Sequence, residues 1–243
     1  MRFLIKFSYD GSAYSGFQSQ KGKETIQQKM EEALTNVNNH KKTNIVATGR
    51  TDKGVHALCQ YGHADIDVNI TEKKLKRALN SNLPEDIHVI STEIVDKDFH
   101  ARYNVKEKTY EYRMNLGEYN PLERKYIFQY NYKLDIEKMK EAIKYFIGEH
   151  DFRAFVTENK EKVNCVRTIT KAEIKQEKEK LIITFTGDGF LRYQVRNMVG
   201  VLIRVGENKL SPKDVDKILE SKDRTKSGKT APPEGLYLTN IKY

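Results

Sequence analysis

The order strand–helix–strand–strand–helix–strand occurs twice along this chain, and it limits the possible folds more than any other feature of the sequence. In the first half, alternating apolar and polar residues predict four strands, at 3–9, 45–48, 55–66 and 87–95. Thr25, with Gln28 completing a capping box, predicts the start of one helix, and Thr71 precedes the second.

The second half repeats this order. Its strands are predicted at 107–115, 168–175, 181–187 and 235–243. Asp135 caps a helix that Gly148 is expected to end. The apolar residues of that helix recur at helical spacing: Ile136, Met139, Ile143, Phe146 and Ile147. An almost wholly apolar helix is predicted at about 191–205, and another begins at Ser211 and Pro212.

These two series predict an α+β protein made of two ferredoxin-like, RRM-like halves, residues 1–105 and 106–243. Two such halves can join edge to edge. We therefore expect one large mixed, mainly antiparallel sheet with helices on one side and a central cleft. The open face of such a sheet is a common platform for RNA.

The composition argues against several classes of protein. Hydrophobic residues make up 38% of the chain and charged residues 32%, which suits a core beneath a heavily solvated surface. Apolar runs fall well short of the roughly 18 residues of a membrane span, and MRFLIKFSYDG does not resemble a signal peptide. Cys59 and Cys165 fit no metal or redox spacing. We expect a cytoplasmic protein with reduced thiols, no metal and no cofactor.

The charge is unevenly distributed. The net charge is +9, yet residues 1–100 carry 14 basic and 13 acidic side chains, so almost all of the excess lies in residues 101–243. A basic face suits a polyanion such as nucleic acid. Ordinary solvation by mixed Lys and Glu is the alternative.

The segment ATGRTDKGVHA (47–57) holds the densest chemical signal, with Arg50, Thr51 and Asp52 between Gly49 and Gly54. Glycine allows sharp turns and the close approach of a ligand. A carboxylate displayed on such a loop can act as a nucleophile or a base, and Arg50 is expected to bind substrate beside it. Alternatively, Asp52 only forms an Asx turn and Arg50 pairs with an acidic group.

A second signal is RYQVRNMVG (192–200), within the apolar helix. Arg192 and Arg196 are expected one turn apart on that helix. A buried arginine without an anion is costly, so Arg196 should have a carboxylate or phosphate partner. A structural ion pair with a glutamate is the alternative.

The third signal is FHARYNVKEKTYEYR (99–113), in which cations alternate with Tyr103, Tyr110 and Tyr112. Aromatic rings among cations suit base stacking and phosphate contact, and we expect Arg102 to contact the substrate. Tyr110 and Tyr112 lie two apart on one strand face, so ordinary core packing is the alternative for each.

The histidines do not suggest a metal site. His56 and His63 differ by an odd number, so they are predicted on opposite faces of one strand. The HxxxH spacing of zinc enzymes, with its nearby glutamate, is absent from the sequence.

Together, GRTDKGVHA, FHARYNVKEKTYEYR, GEHDFRAF, FLRYQVRNMVG and DRTKSGKTAPPEGLYL resemble, in order and spacing over the whole chain, the motifs of the bacterial tRNA pseudouridine synthase A family. GRTD followed by GVHA is highly specific, whereas GLYL alone is weak. The resemblance implies a homodimeric isomerase that converts uridine to pseudouridine at positions 38, 39 and 40 of the tRNA anticodon stem-loop. It also implies that neither metal nor cofactor is used.

The resemblance also implies a role for four residues. Asp52 matches the family's catalytic aspartate, and Arg196 matches the arginine that pairs with that carboxylate. Tyr110 matches the tyrosine that stacks on the target uracil, and Leu236 matches an apolar residue that lines the uracil pocket.

Such a reaction breaks the N1–C1′ bond, turns the uracil and rejoins it through C5. Asp52 could attack C1′ or remove the C2′ proton to give a glycal, and Tyr110 could also act as a general base; the residues leave these routes open. Two other classes remain. A non-catalytic RNA-binding protein would leave GRTD without a role, and a nucleotide hydrolase would need a phosphate loop or metal cluster that the sequence lacks.

Overall fold

The computed structural model describes residues 1–157 and 164–243. The strands of this part of the chain are β1 (Arg2–Tyr9), β2 (Val46–Ala47), β3 (His56–Asp65), β4 (Ile87–Val95), β5 (Glu107–Asn115), β6 (Phe128–Gln129), β7 (Gly148–Asp151), β8 (Val166–Glu177), β9 (Lys180–Gly187) and β10 (Leu236–Lys242). Its α-helices are α1 (Ile26–Val37), α2 (Glu72–Asn82), α3 (Ile136–Ala142), α4 (Gln194–Gly206) and α5 (Asp214–Ser221).

The predicted fold class is confirmed. The ten described strands belong to one mixed sheet. Of the strand pairs whose register is determined, the short pair of β5 and β6 is parallel and the others are antiparallel. Within residues 1–157 and 164–243, no helix combines the length and apolar character needed to cross a membrane.

The chain forms two compact units. Unit 1 comprises Met1–Lys106 with Leu238–Tyr243, and unit 2 comprises Glu107–Tyr237. The boundary near residue 106 lies beside the one drawn from the sequence, and the end of β10 belongs to unit 1.

In unit 1, the strands lie in the order β4-β1-β3-β10. The central strand β1 is antiparallel to both β3 and β4, with Lys6 opposite Tyr61 on β3. Alternate side chains of β1 are fully buried, as a strand with one covered face requires: Phe3, Ile5 and Phe7. The Tyr243 hydroxyl, next to the end of β10, shares a hydrogen bond of 2.7 Å with the Thr48 hydroxyl and donates to the Ala101 carbonyl oxygen at 3.1 Å.

The first helix begins where its cap predicts, but the capping box is only half formed. The Thr25 hydroxyl accepts from the backbone nitrogen of Gln28 at 3.4 Å. The Gln28 side chain does not reach back to the Thr25 backbone; its amide donates to the Glu32 carboxylate at 2.9 Å. That i,i+4 partner on the helix surface competes with the cap for the glutamine.

In unit 2, the strands lie in the order β5-β9-β8-β7 and all three pairings are antiparallel. Tyr110 on β5 lies opposite Phe185 on β9. Helix α4 is buried on nearly every side, as predicted: apart from Arg196 and Arg204, all of its residues are buried. This helix therefore lies in the core of unit 2.

Two details of the helix predictions are wrong. Helix α4 begins at Gln194, because Tyr193 adopts a left-handed conformation with φ of 63° that a helix cannot include. Arg192 therefore precedes the helix and does not lie one turn from Arg196 on it. Helix α3 ends at Ala142 and continues only as a 3-10 turn, so Ile147 has 43% of its surface exposed and is not part of the core.

Candidate functional site

Asp52 lies on the loop between β2 and β3, and the backbone of this loop is fixed on both sides of it. Before Asp52, Thr51 is buried, and its hydroxyl shares a hydrogen bond of 2.8 Å with the Tyr9 hydroxyl. The Phe17 nitrogen donates to the Thr51 carbonyl oxygen at 3.1 Å. After Asp52, the Val55 nitrogen donates to the Asp52 carbonyl oxygen at 3.2 Å. The half-buried Asp52 side chain therefore projects from a firmly held turn.

The buried hydroxyl pair that holds this loop is uncharged. Burial raises the pKa of Tyr9 to about 12, so its phenol keeps its proton at neutral pH. A neutral pair costs little to bury once it is hydrogen-bonded. The anchor of the loop therefore does not add a charge beside the Asp52 carboxylate.

A glycine in the neighbouring segment allows this loop to lie where it does. A Cβ atom on Gly11 would lie 1.9 Å from the Val55 carbonyl oxygen. The Gly11 nitrogen also donates to His56 Nδ1 at 3.1 Å, next to Val55. Only glycine fits where two backbone segments come this close. The GRTD loop is thus packed directly against the segment that follows β1.

The two arginines of unit 1 assigned to substrate binding are both exposed. Arg50 lies in the Asp52 loop, and Arg102 lies in the segment that follows β4. In the same segment, Tyr103 has 77% of its surface exposed and stacks on His100 with ring centroids 4.2 Å apart. Arg50 is thus two residues from Asp52 on the same loop, whereas Arg102 lies on a separate loop.

The histidines of β3 serve as backbone partners. His63 Nδ1 accepts from the Ala101 nitrogen at 3.1 Å. Burial, reinforced by the charge of Arg2, lowers the pKa of His63, which keeps the ring neutral and able to accept. His56 Nδ1 lies 3.1 Å from the Gly11 nitrogen and 3.1 Å from a carboxylate oxygen of Asp10. Across residues 1–157 and 164–243, no three His, Cys, Asp or Glu side chains are grouped as a metal ion would require.

The two tyrosines of β5 differ in their surroundings. Tyr112 is completely buried and its hydroxyl donates to the Pro232 carbonyl oxygen at 2.8 Å. Burial raises the pKa of Tyr112 well above its usual range. Tyr110 retains 8% of its surface and meets Phe190 edge to face, with centroids 5.1 Å apart. Core packing accounts for Tyr112, whereas Tyr110 lies at the margin of the core.

Arg196, on α4, is half-buried, and both its side chain and its backbone bond to Ala231. Its Nε donates to the Ala231 carbonyl oxygen at 2.7 Å, and its own carbonyl oxygen accepts from the Ala231 nitrogen at 3.1 Å. Its guanidinium lies 5.2 Å from the centre of the Tyr193 ring. These contacts fix the direction in which the guanidinium points.

Two further residues of unit 2, Leu236 and Glu234, lie in the last matched motif. Leu236, at the start of β10, is buried, as an apolar pocket residue should be. Glu234 is half-buried, and burial raises its pKa, while the charge of Arg196 acts in the opposite direction. The sequence did not single out Glu234 or Ala231. Both lie in DRTKSGKTAPPEGLYL, where the only available signal was the motif itself.

Comparison with known proteins agrees with the resemblance noted in the sequence. A family model described as tRNA pseudouridine synthase matches residues 5–104 and 142–243. The tRNA pseudouridine synthase A of Limosilactobacillus reuteri (strain DSM 20016) is 43% identical over 247 residues, covering all of this chain and 96% of the relative. That of Streptococcus pneumoniae serotype 19F (strain G54) is 44% identical over 245 residues, with 100% and 98% covered.

The chain therefore belongs to the tRNA pseudouridine synthase family, and the predicted resemblance is confirmed. Asp52 lies in the first matched stretch, and Arg196 and Leu236 lie in the second. Tyr110 lies between the two stretches, so the family model itself gives no support for its role.

Proposed function

We propose that this protein isomerises uridine to pseudouridine at positions 38, 39 and 40 of the tRNA anticodon stem-loop. Family membership supports the reaction, and the resemblance of the motifs supports the position in the tRNA. The observation that carries the proposal is the Asp52 loop. It presents one carboxylate from a backbone that is hydrogen-bonded on both sides.

Asp52 is the proposed nucleophile. The reaction breaks the N1–C1′ bond and forms a C5–C1′ bond; the proton on C5 is lost and N1 gains one. No group is oxidised and none is transferred to another molecule, so one carboxylate that attacks C1′ or removes the C2′ proton is sufficient. A fixed loop favours this chemistry because catalysis depends on holding the reacting atoms in position.

Arg196 is the proposed partner that keeps the Asp52 carboxylate ionised. A nearby guanidinium favours the charged form of a carboxyl group and can orient it through a two-pronged contact. The hydrogen bond from Arg196 Nε to Ala231 supports this role, because it sets the plane of the guanidinium in advance.

Tyr110 and Leu236 are proposed to hold the uracil. A uracil that has left the base stack of the RNA can lie against the face of the Tyr110 ring, while the buried Leu236 supplies an apolar wall. Holding the detached base in place lets it recombine through C5 instead of diffusing away. Turnover by Tyr110→Phe, which lacks the hydroxyl, tests whether Tyr110 also receives the C5 proton.

Exposed cations are proposed to contact the RNA. Arg50 and Arg102 are exposed cations that suit contact with tRNA phosphates, and most of the net positive charge lies in residues 101–243. Following the resemblance, we propose that the protein acts in the cytoplasm as a homodimer and needs neither metal nor cofactor.

Release of tritium from tRNA labelled at uracil C5 tests the proposed reaction. The wild-type protein should release the label while the RNA stays intact. A nucleotide hydrolase would shorten the RNA, and a binding protein would release nothing.

Asp52→Asn, compared with Asp67→Asn as a control, tests the proposed nucleophile. Asp67 lies on the surface of the same unit, in an ion pair with Lys41. Asp52→Asn should bind tRNA normally and release label at less than about a thousandth of the wild-type rate, because an amide cannot replace the carboxylate. Asp67→Asn should behave like the wild type. Turnover by Asp52→Asn at a tenth of the wild-type rate would rule out the nucleophile assignment.

A further inference from the structure

Most of the segment 227–231 of unit 2 is bonded to the guanidinium of Arg224. Arg224 Nη1 donates to Ser227 Oγ and to the Gly228 carbonyl oxygen, each at 2.8 Å. Arg224 Nη2 donates to Thr230 Oγ1 and to Asn197 Oδ1, each at 2.9 Å. One side chain thus gathers three residues of the segment and ties them to helix α4.

The attachment point on α4 is itself fixed. Asn197 is fully buried, and its amide nitrogen donates to the Phe155 carbonyl oxygen at 2.7 Å. Its Oδ1 accepts from Thr230 Oγ1 at 2.7 Å as well as from Arg224. A Cβ atom on Gly200 would lie 2.1 Å from the Lys229 carbonyl oxygen, so the segment lies directly against the helix.

This segment ends at the residue that orients Arg196. The backbone of Ala231 forms two hydrogen bonds with Arg196: its nitrogen donates to the Arg196 carbonyl oxygen, and its carbonyl oxygen accepts from Arg196 Nε. The Tyr112 hydroxyl holds the next carbonyl, that of Pro232. A shift of 227–231 along α4 would therefore move the acceptor that sets the direction of the Arg196 guanidinium.

The partners of Arg224 are unusual for a half-buried cation. The acceptors bonded to its Nη atoms are two hydroxyls, an amide and a carbonyl. Its Nε is buried and has no hydrogen-bond partner among the described residues. Desolvating a cation against neutral groups is costly. A fork of donors that reaches four acceptors at once explains why an arginine occupies this place.

We propose that Arg224 is a positioning residue for the isomerisation: it locks 227–230 onto α4 and thereby fixes the Ala231 carbonyl that orients Arg196. The inference rests on the proposed function, because it needs Arg196 to act in catalysis. Arg224 would then affect kcat without touching the substrate.

Arg224→Gln is the main test, with Arg204→Gln as its matched control. Arg204 lies on α4 and donates to the Lys226 carbonyl oxygen at 2.8 Å, so it bonds to the chain one residue before the segment 227–231. Arg224→Gln should lower kcat for tritium release by about ten- to a hundredfold, as a displaced catalytic group does. KM for tRNA should change less than about threefold, since uniform binding is not affected. Arg204→Gln should keep kcat within about twofold of the wild type.

Combination with Arg196→Met separates positioning from general structural damage. If Arg224 acts through Arg196, the double variant should be no slower than Arg196→Met alone, because the effect is already lost. Multiplied losses in the double variant would overturn the proposal, as would a wild-type kcat for Arg224→Gln when Arg196→Met is slow. A wild-type kcat for Arg196→Met would instead remove the proposed role of Arg196 itself.

A second variant covers the case in which Arg224→Gln does not fold. Thr230→Val keeps the shape of the side chain and removes both its bond to Asn197 and one acceptor of Arg224. Thr230→Val should also lower kcat. In the Arg196→Met background it should cause no further loss of kcat. An unchanged kcat in folded Thr230→Val would overturn the proposal.

Discussion

Gly11→Ala should damage catalysis far more than its loss of stability explains. The new methyl group would meet three backbone atoms of Val55, the closest being the carbonyl oxygen at 1.9 Å. Backbone atoms cannot rotate away as a side chain can. The alanine therefore fits only if the segment after β1 and the loop after Asp52 move apart.

The size of that movement follows from the distance. Bringing the contact to 3.0 Å, the lower limit for real Cβ atoms, requires a displacement of about 1.1 Å. The Val55 nitrogen is hydrogen-bonded to the Asp52 carbonyl, so the turn that presents Asp52 moves with it. A misplacement of about 1 Å at a reacting group costs roughly a hundredfold in rate. Overpacking alone costs about 1–3 kcal/mol of stability.

Gly22→Ala provides the control for stability. Gly22 has a φ of +72°, so alanine there is strained, yet nothing lies within 4 Å of the new methyl group. Its expected cost is about 1–2 kcal/mol without any displacement of the Asp52 loop. The two variants should therefore unfold at similar urea concentrations, while only Gly11→Ala loses about a hundredfold in kcat for tritium release. Equal kcat values for the two variants would refute the reasoning.

Four other outcomes are expected. Tyr110→Phe should bind tRNA nearly as well as the wild type and Tyr110→Ala more weakly by about 1–3 kcal/mol, since the ring face supplies stacking; equal binding by both would argue against it. Tyr112→Phe should lower the free energy of unfolding by about 1–3 kcal/mol in urea titrations, because the Pro232 carbonyl loses its donor, and an unchanged value would contradict this. Burial raises the pKa of Glu234, so the folded state holds that proton more tightly than the unfolded state, and the free energy of unfolding should fall as pH rises above about 4.5. Glu234→Gln should flatten this dependence of stability on pH, and an unchanged dependence would point to another group. Tritium release should continue in EDTA on prefolded tRNA, and loss restored by zinc would reveal a metal requirement.

The sequence predicts the regular elements of this fold well, because their signals are local. Strands β4 and β5 have the bounds that alternation and turn residues predict, and the Thr25 cap begins its helix. The start of α4 was predicted too early because the residues RYQVRN do not indicate that Tyr193 takes a left-handed conformation. The 3-10 turn after α3 was missed for a similar reason, since its apolar residues also fit an α-helix.

The site could be predicted only in part. Asp52 was found because glycines and charge mark its loop within a few residues, whereas its anchors Tyr9 and Phe17 lie more than thirty residues away in sequence. The lock formed by Arg224 and Asn197 joins residues 27 apart through side-chain hydrogen bonds. Such contacts leave no periodicity, so only the folded structure reveals them.

Unit 1 contains residues 238–243, so it cannot form completely on the ribosome until these residues have been made. This unit begins with the first residue, but its Tyr243 hydroxyl and the Lys242 carbonyl, which accepts from Lys106, arrive only after residues 107–237 have been translated. At about 5–20 residues per second, that delay is on the order of ten seconds. For that time the nascent first unit has β3 without its β10 neighbour, and an unpaired strand edge is open to wrong partners. The second unit can complete most of its own contacts during that interval, so the half that starts first finishes last.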